Sequence, residues 1–284
     1  MANLKDIRNR IASVSSTMQI TSAMKMVSAA KLKKAQDAIT AMRPYSNKLT
    51  DLLQNLSATM DSDTGSQFTQ QRPVTKVLVA VITSNRGLCG AFNSNILKAA
   101  AGIKEQYTDA QLDFLAIGKK AHDNFSKKDV VISNHSAVFD DLTFGNVALI
   151  ADELMTRFAA GEYDKIEIVY NKFKNAATQE VMVENFLPLI PAQGIKAEGD
   201  YIFEPNKIEI VSQLIPKALK TQLYKAVRDS FASEHGARMT AMHKATDNAT
   251  ELRDQLKLTY NKARQAAITN EILEIVGGAE ALNG

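Results

Sequence analysis

The two ends of this chain step their apolar residues by three and four over lengths that no compact body of 284 residues can hold. From Met1 to about Ser57 there is no glycine, and Ile7, Ile11, Val14, Met18, Thr21, Ser28, Leu32, Ala35, Ile39 and Met42 mark out one helical stripe. Pro44 is the only breaker. It costs ~3 kcal/mol in a helix interior, and because LTDLLQNL resumes the pattern it predicts a kink after Arg43. From about Ile208 to Val276 only Gly236 intervenes, and Ala249, Leu252, Leu256, Thr259, Ala263, Ala266, Asn270 and Leu273 follow the same rule. At 1.5 Å per residue the two helices would measure roughly 80 Å and roughly 110 Å. A compact chain of this length has a radius of gyration near ~19 Å, so the helices must project, and pairing as a long antiparallel coiled coil satisfies both stripes at once.

The C-terminal helix then outruns its mate by about 20 residues. That overhang, QAAITNEILEIVGGAEALNG, carries Ile268, Ile272, Leu273, Ile275, Val276 and Leu282 and no basic residue. Burying one Ile or Leu is worth ~1.5–3 kcal/mol, while Gly277 and Gly278 each cost ~1 kcal/mol in helix propensity, so the tip is expected to be ordered inside a partner.

Between the helical ends the pattern changes. KVLVAVITS (76–84), LDFLAIG (112–118), DVVIS (129–133), KIEIVYN (165–171) and QEVMVENFLPL (179–189) read as strands, and residues 93–106, 119–125 and 146–160 as helices between them. The alternation predicts one Rossmann-like α/β domain with a mostly parallel sheet. The expected division is a coiled-coil helix over 1–60, the α/β domain over 74–190 and a second coiled-coil helix over 207–284, with polar linkers at 61–73 and 191–206.

Composition excludes other classes. With 45% hydrophobic and 23% charged residues the chain is neither disordered nor collagen-like, and a single cysteine, Cys89, leaves no internal disulfide to form. No window of about 20 apolar residues suggests a membrane span, and MANLKDIRNR has no signal-peptide core.

Candidate chemistry is sparse. TSNRGLCGAFN places Gly87 and Gly90 between a strand and a helix, where amides could cradle an anion, but GK[ST] and GxGxxG are both missing and a structural turn is the better reading. Cys89 in that loop reads as a buried thiol rather than a nucleophile. His122, His135, His235 and His243 fall in no catalytic or zinc spacing. Asp140 and Asp141 are adjacent, which suits a loop or helix cap better than an acid/base pair. Charge is uneven: residues 1–48 hold nine Lys or Arg against Asp6 and Asp37, a balance of +7. A solvated face, nucleic acid or an acidic protein could answer that charge. No aromatic residue is interleaved with the basic ones before Tyr45, which favours the protein.

IRNRIASVSSTMQITSAMKMVSAAKLKKAQ, SNRGLCGAFN, SEHGARMTAMHKATDNA and YNKARQAAITNEILEIVGGA together resemble the gamma subunit family of F-type ATP synthase, bacterial type, over essentially the whole chain. The resemblance implies a central stalk rotor that couples proton-driven rotation of the c ring to conformational cycling of catalytic beta subunits. It implies no catalytic residue, cofactor or metal in this chain and no nucleic acid. The implied partners are the alpha, beta, epsilon and c subunits. Met24, Lys25, Met26 and Arg238 would face the acidic lever of a beta subunit, and Arg264, Gln265, Thr269, Glu271 and Glu274 would meet the alpha/beta ring higher up. Tyr201 and Glu204 would lie on the strip toward the c ring and epsilon. Because some relatives have Glu where Lys25 stands, any role there rests on helix position. Small side chains at Ala29, Ala30, Ala237, Ala241, Ala266 and Ala267 suit a thin shaft. The cysteine-bearing regulatory insertion of the chloroplast form is missing. Membrane association would be peripheral and indirect, through the c ring, at the cytoplasmic face of the bacterial inner membrane. The alternatives are an enzyme with a ligand at the Gly87–Gly90 loop, a nucleic-acid-binding coiled coil and a non-rotary scaffold.

Overall fold

The computed structural model describes residues 4–58, 67–189 and 207–283. Its elements are α1 (Leu4–Ala58), β1 (Lys76–Ile82), α2 (Phe92–Gln106), β2 (Gln111–Ile117), α3 (Lys119–Phe125), β3 (Val131–Asn134), α4 (Phe144–Ala159), β4 (Lys165–Phe173), β5 (Gln179–Leu187) and α5 (Lys207–Asn283). A 3-10 turn at Ser136–Phe139 follows β3. Every expected strand and helix is present, and α1 continues as helix through Pro44. The chain divides into two compact units, Ser28–Arg238 and Met1–Val27 with Met239–Gly284.

The Ser28–Arg238 unit is built on a five-stranded sheet in the order β3-β2-β1-β4-β5. The pairs β1–β2, β1–β4 and β2–β3 are parallel, and only the edge pair β4–β5 is antiparallel. The central strand explains the run KVLVAVI: every residue after Lys76 is buried, so apolar side chains are required on both faces. Leu78, Ala80 and Ile82 meet α4 through Val147, Ile150 and Leu154, together with Leu219, Leu223 and Val227 of α5. Val77, Val79 and Val81 meet α2 through Phe92, Ile96 and Ala100, together with Ala237 of α5. Thus α5 joins the core on one face of the sheet with its Ile215–Val227 segment and the core on the other face with Ala237.

Local sequence sets the connections. Thr143 caps α4 by accepting from the Asn146 amide, and Asn146 also donates to Asp141, while Asp140 closes the preceding 3-10 turn, so the pair lies in a loop and beside a helix cap. Gly118, between β2 and α3, has φ +120°, and a Cβ there would lie 2.2 Å from the Thr83 carbonyl oxygen; only glycine fits. The end of the first linker is packed: Phe68 is buried and its carbonyl accepts from the Leu189 amide. The second linker, 191–206, lies outside the described residues. Along α1 in this unit, Ser28, Leu32, Ala35 and Ile39 are all buried, as the stripe predicts. Lys217 of α5 lies 5.9 Å from the Tyr45 ring centroid of α1, and Ser46 and Leu49 share a small cavity wall with Ala218 and Thr221.

In the other unit, Leu4–Val27 of α1 runs antiparallel to α5. Thr246 donates to the Thr21 hydroxyl at 2.8 Å, Thr250 to the Met18 sulfur at 3.3 Å, and Arg8 to the Tyr260 hydroxyl at 2.8 Å, so contacts climb α5 as they descend α1. The seam on α5 departs from the expected stripe. Ala249 is buried and Leu256 and Ala263 are half-buried, but Leu252 and Thr259 are exposed and the inward positions between them are Arg253 and Tyr260. Both are amphipathic: the Arg253 guanidinium meets the Met18 sulfur of α1 at 3.5 Å and Asp254 beside it, and the Arg8 guanidinium of α1 lies 5.7 Å from the Tyr260 ring centroid. From Arg264 to Ala281 every residue is exposed, so Ala266, Asn270 and Leu273 belong to the overhang rather than the seam. The helix continues through Gly277 and Gly278 to Asn283.

This register has a measurable consequence. In denaturant unfolding of the full chain, Tyr260→Ala should cost about 1–2 kcal/mol, whereas Leu252→Ala, on the solvent side, should stay within about 0.5 kcal/mol. Equal effects would place the seam on the other phase.

Candidate functional site

The strand order changes direction between β1 and β4, with β2 and β3 to one side and β5 to the other. In open α/β sheets the crevice beyond the carboxyl ends of the strands at such a point is where ligands bind. Here the loop after β1 carries Asn85, Arg86, Gly87, Leu88, Cys89 and Gly90, and the turn after β4 carries Asn175 and Ala176.

One turn and a half of α5 lies against both. The Ser233 hydroxyl donates to the Asn171 carbonyl on β4 at 3.0 Å, and Asn171 itself donates to the Phe92 carbonyl at the start of α2 at 3.2 Å. A Cβ on Gly236 would come within 3.2 Å of the Ala176 Cα and 3.3 Å of its carbonyl oxygen. Arg238 donates to the Arg86 carbonyl at 3.2 Å and to the Gly87 carbonyl at 3.3 Å, while Glu234 one turn back takes its other nitrogen at 2.6 Å. The loop is set for this. Ser84 donates to the Arg86 carbonyl, Asn93 donates to the Ser84 hydroxyl, and Leu88 and Gly90 adopt φ of +62° and +59°. Carbonyl oxygens therefore point at a cation, the reverse of an amide cradle for phosphate.

Burial governs the titratable groups. The Cys89 thiol, 2% exposed, is pushed up by burial, against the lowering influence of Ser84, Arg238 and Asn93, and it accepts from Asn93 at 3.2 Å; it is a packed, unreactive thiol. Glu234 is raised by burial and held back by Arg238 and more distantly by Lys31 and Arg86. Asp229 is raised by burial and opposed by Lys225, Arg43 and Lys172. His235 is pushed down to about 3, first by burial and then by the charges of Arg238 and Lys31. Arg238 lies 3.4 Å from its Nδ1 and donates there, which assigns the proton to Nε2. The His235 ring stands edge-on to Phe231 at 4.5 Å.

The other histidines are dispersed. His135 pairs with Glu153 on α4, His243 with Asp247 on an exposed face of α5, and His122 sits beside Asp123. Among the described residues no three His, Cys, Asp or Glu side chains converge in a way that could hold a metal ion. None of the described helices is long and apolar enough to cross a membrane.

The expected partner-facing residues are distributed as follows. Met24 and Lys25 are half-buried, while Met26 is 65% exposed beside exposed Val27. Arg238 is buried and committed to Glu234 and the Arg86–Gly87 carbonyls. Arg264, Gln265, Thr269, Glu271 and Glu274 are all exposed on the overhang, with Thr269 donating back to the Gln265 carbonyl. Tyr201 and Glu204 lie outside the described residues. Of the small side chains, Ala237 is buried, Ala29 and Ala241 are half-buried and Ala30, Ala266 and Ala267 are exposed. Sequence reasoning missed Asn171, Ser233 and Gly236. The available signal was the one glycine that interrupts the helical pattern between about Ile208 and Val276, flanked by the polar residues Ser233, Glu234 and Arg238.

One unit is an antiparallel helix pair, and the other is a doubly wound α/β domain whose crevice is filled by Ser233, Gly236 and Arg238 of its own helix. The family model described as ATP synthase matches residues 3–282. The ATP synthase gamma chains of Flavobacterium psychrophilum and Geobacter sp. (strain M21) are 73% and 45% identical to this chain, with all of both chains covered in each case. A solved structure of the Tetrahymena thermophila mitochondrial ATP synthase central stalk and c-ring has 26% identity and a TM-score of 0.59, covering 80% of this chain and 99% of that one. The rotor of the Euglena gracilis mitochondrial enzyme shares the fold at a TM-score of 0.68 and 23% identity, covering 93% and 98%. The chain belongs to the ATP synthase gamma chain family: it is a rotor subunit of the central stalk, peripheral to the membrane and without a catalytic site of its own.

The buried histidine gives this unit a pH signature. The folded value near 3 lies below the ordinary 6.5, so as pH falls through 6.5 the unfolded chain binds a proton that the folded chain refuses, and stability drops toward acid. Asp229 and Glu234, with raised values, act in the opposite sense: their contribution is present at acid pH and is lost as pH rises through their folded values. They are common to wild type and variant. Equilibrium unfolding across pH 5 to 7 should show a loss of up to about 1.4 kcal/mol per pH unit that His235→Gln removes; parallel curves for the two chains would refute a neutral His235.

Proposed function

We propose that this chain transmits torque between a membrane-embedded c ring and the catalytic beta subunits, so that proton flow drives ATP synthesis. One observation carries the reading: α5 extends beyond the start of α1 as a single helix whose large apolar side chains, Ile268, Ile272, Leu273, Ile275 and Val276, are all exposed. Exposed apolar rows of this extent mark a surface with a partner, and a helix free of basic residues beyond Arg264 suits an apolar sleeve rather than nucleic acid. Arg264, Gln265, Thr269, Glu271 and Glu274 would meet the alpha/beta ring there. Met24, Lys25 and Met26, on a basic helix, would meet the acidic lever of a beta subunit, with Arg238 setting the position of the neighbouring loop from inside. Tyr201 and Glu204 would serve the c ring and epsilon.

Coupling on this reading is linkage. An asymmetric shaft biases each beta site only in so far as it contacts the beta conformers differently. In functional terms the chain has three parts, the helices at 1–60 and 207–284 and the α/β domain at 74–190, and it works at the cytoplasmic face of a bacterial inner membrane. A nucleic-acid-binding coiled coil and a non-rotary scaffold are the rival readings.

The test is a pull-down of the tagged chain from native membranes, with ATP hydrolysis assayed in the eluate. Two nucleotide-binding subunits and ATPase activity are expected to co-purify, and removal of residues 264–284 should lower ATP synthesis by about tenfold, the equivalent of losing ~1.4 kcal/mol of coupling. Elution alone, or with nucleic acid and no ATPase, would sink the rotor reading.

A further inference from the structure

We infer that the Ser233–Arg238 segment of α5 is an intramolecular ligand of the α/β domain and forms the torsional joint of the rotor. It rests on the torque-transmitting reading and adds the contacts that fix the azimuth of α5 within the Ser28–Arg238 unit.

The argument starts from what holds a helix against rotation about its own axis. Apolar side chains packed along one face resist separation, but they let a helix roll by repacking, because the hydrophobic effect is non-directional. Directional contacts on opposite sides do not. At 100° per residue, Gly236 and Arg238 project roughly 160° apart around α5, and Ser233 lies roughly 60° from Gly236. The Gly236 side meets backbone of the β4–β5 turn at Ala176, and Ser233 bonds the Asn171 carbonyl on the same strand. Arg238 reaches the other way, to the backbone carbonyls of Arg86 and Gly87 after β1.

Two jaws therefore close on the helix. They rise from the carboxyl ends of β1 and β4, which are hydrogen-bonded neighbours in register from Val77–Lys165 to Val81–Val169, so the sheet itself fixes the gap between them. Both jaws present main chain, which cannot change rotamer. The arginine is braced by Glu234 at 2.6 Å, and Asn171 is tied to the start of α2 through the Phe92 carbonyl. Burial raises the stakes: Ser233 is fully buried and Glu234 and Arg238 are nearly so, and a buried polar group that loses its partner costs about 1–3 kcal/mol. The wild-type glycine lets the helix sit this deep, since any side chain at position 236 pushes against the Ala176 backbone.

The experiment uses the assembled complex reconstituted in vesicles and reads ATP-driven proton pumping against ATP hydrolysis. Gly236→Val, which wedges one jaw open, should leave hydrolysis running while pumping per ATP falls about fivefold, and Gly236→Ala should fall much less. A second variant tests the joint without a wedge. Ser233→Ala removes the hydroxyl that bonds the Asn171 carbonyl and adds no bulk, and it should lower pumping per ATP about twofold while hydrolysis continues. An unchanged ratio in the Gly236→Val complex would overturn the joint. Where the valine variant does not assemble, an unchanged ratio in the Ser233→Ala complex overturns it alone. Failure of the unmodified chain to assemble with ATPase subunits strikes the rotor reading and not the joint, so the two failures are distinct.

Discussion

A sheet that touches one side of a helix cannot steer it, and the Ser28–Arg238 unit is organised around that constraint. The α5 helix contributes Leu219, Leu223 and Val227 to the core on one face of the sheet and Ala237 to the core on the other, so it must pass over the carboxyl ends of the strands between them. That passage brings its polar residues, from Asp229 to Arg238, into the interior. A helix buried all round is ordinarily apolar all round. This one instead satisfies Ser233, Glu234 and Arg238 on backbone carbonyls and on each other, while His235 is held neutral.

The seam between α1 and α5 follows different physics. In the unit formed by the chain's two ends, Ile7 is buried and Ile11, Val14 and Leu256 are half-buried, and beside them threonine hydroxyls, a methionine sulfur, an arginine and a tyrosine make the polar contacts. Such a seam mixes apolar and polar contacts along its length. On the outer surface of the same pair Met26, Val27 and Ile20 are more than half exposed.

Much of this was legible in the sequence because the relevant constraints are periodic. KVLVAVI reads as a buried central strand since nothing else requires apolar residues on both faces, and the helices of the α/β domain fell within two residues of their expected ends. The α1 stripe held from Ile7 to Met42, with every position buried or half-buried. The α5 stripe slipped at Leu252 and Thr259 because the true inward residues, Arg253 and Tyr260, are polar by letter and apolar by stem. Gly236 was visible as an interruption, but its meaning depends on Ala176, sixty residues away in sequence, and no local pattern encodes that approach. Tyr201 and Glu204 had only family resemblance behind them.

The same crossing shapes what the carboxyl end of β1 presents. A phosphate at the end of β1 needs inward-pointing amides and an open crevice. In this chain the Arg86 and Gly87 carbonyls turn inward, held by Ser84 and Arg238, and the space is taken by Ser233, Gly236 and Arg238. Any anion entering would have to displace a buried arginine from Glu234 and leave that carboxylate, already raised by burial, without its cation. Breaking a buried ion pair costs about 3–5 kcal/mol, comparable to the whole affinity of a millimolar ligand. The fold's binding site has been given over to its own helix.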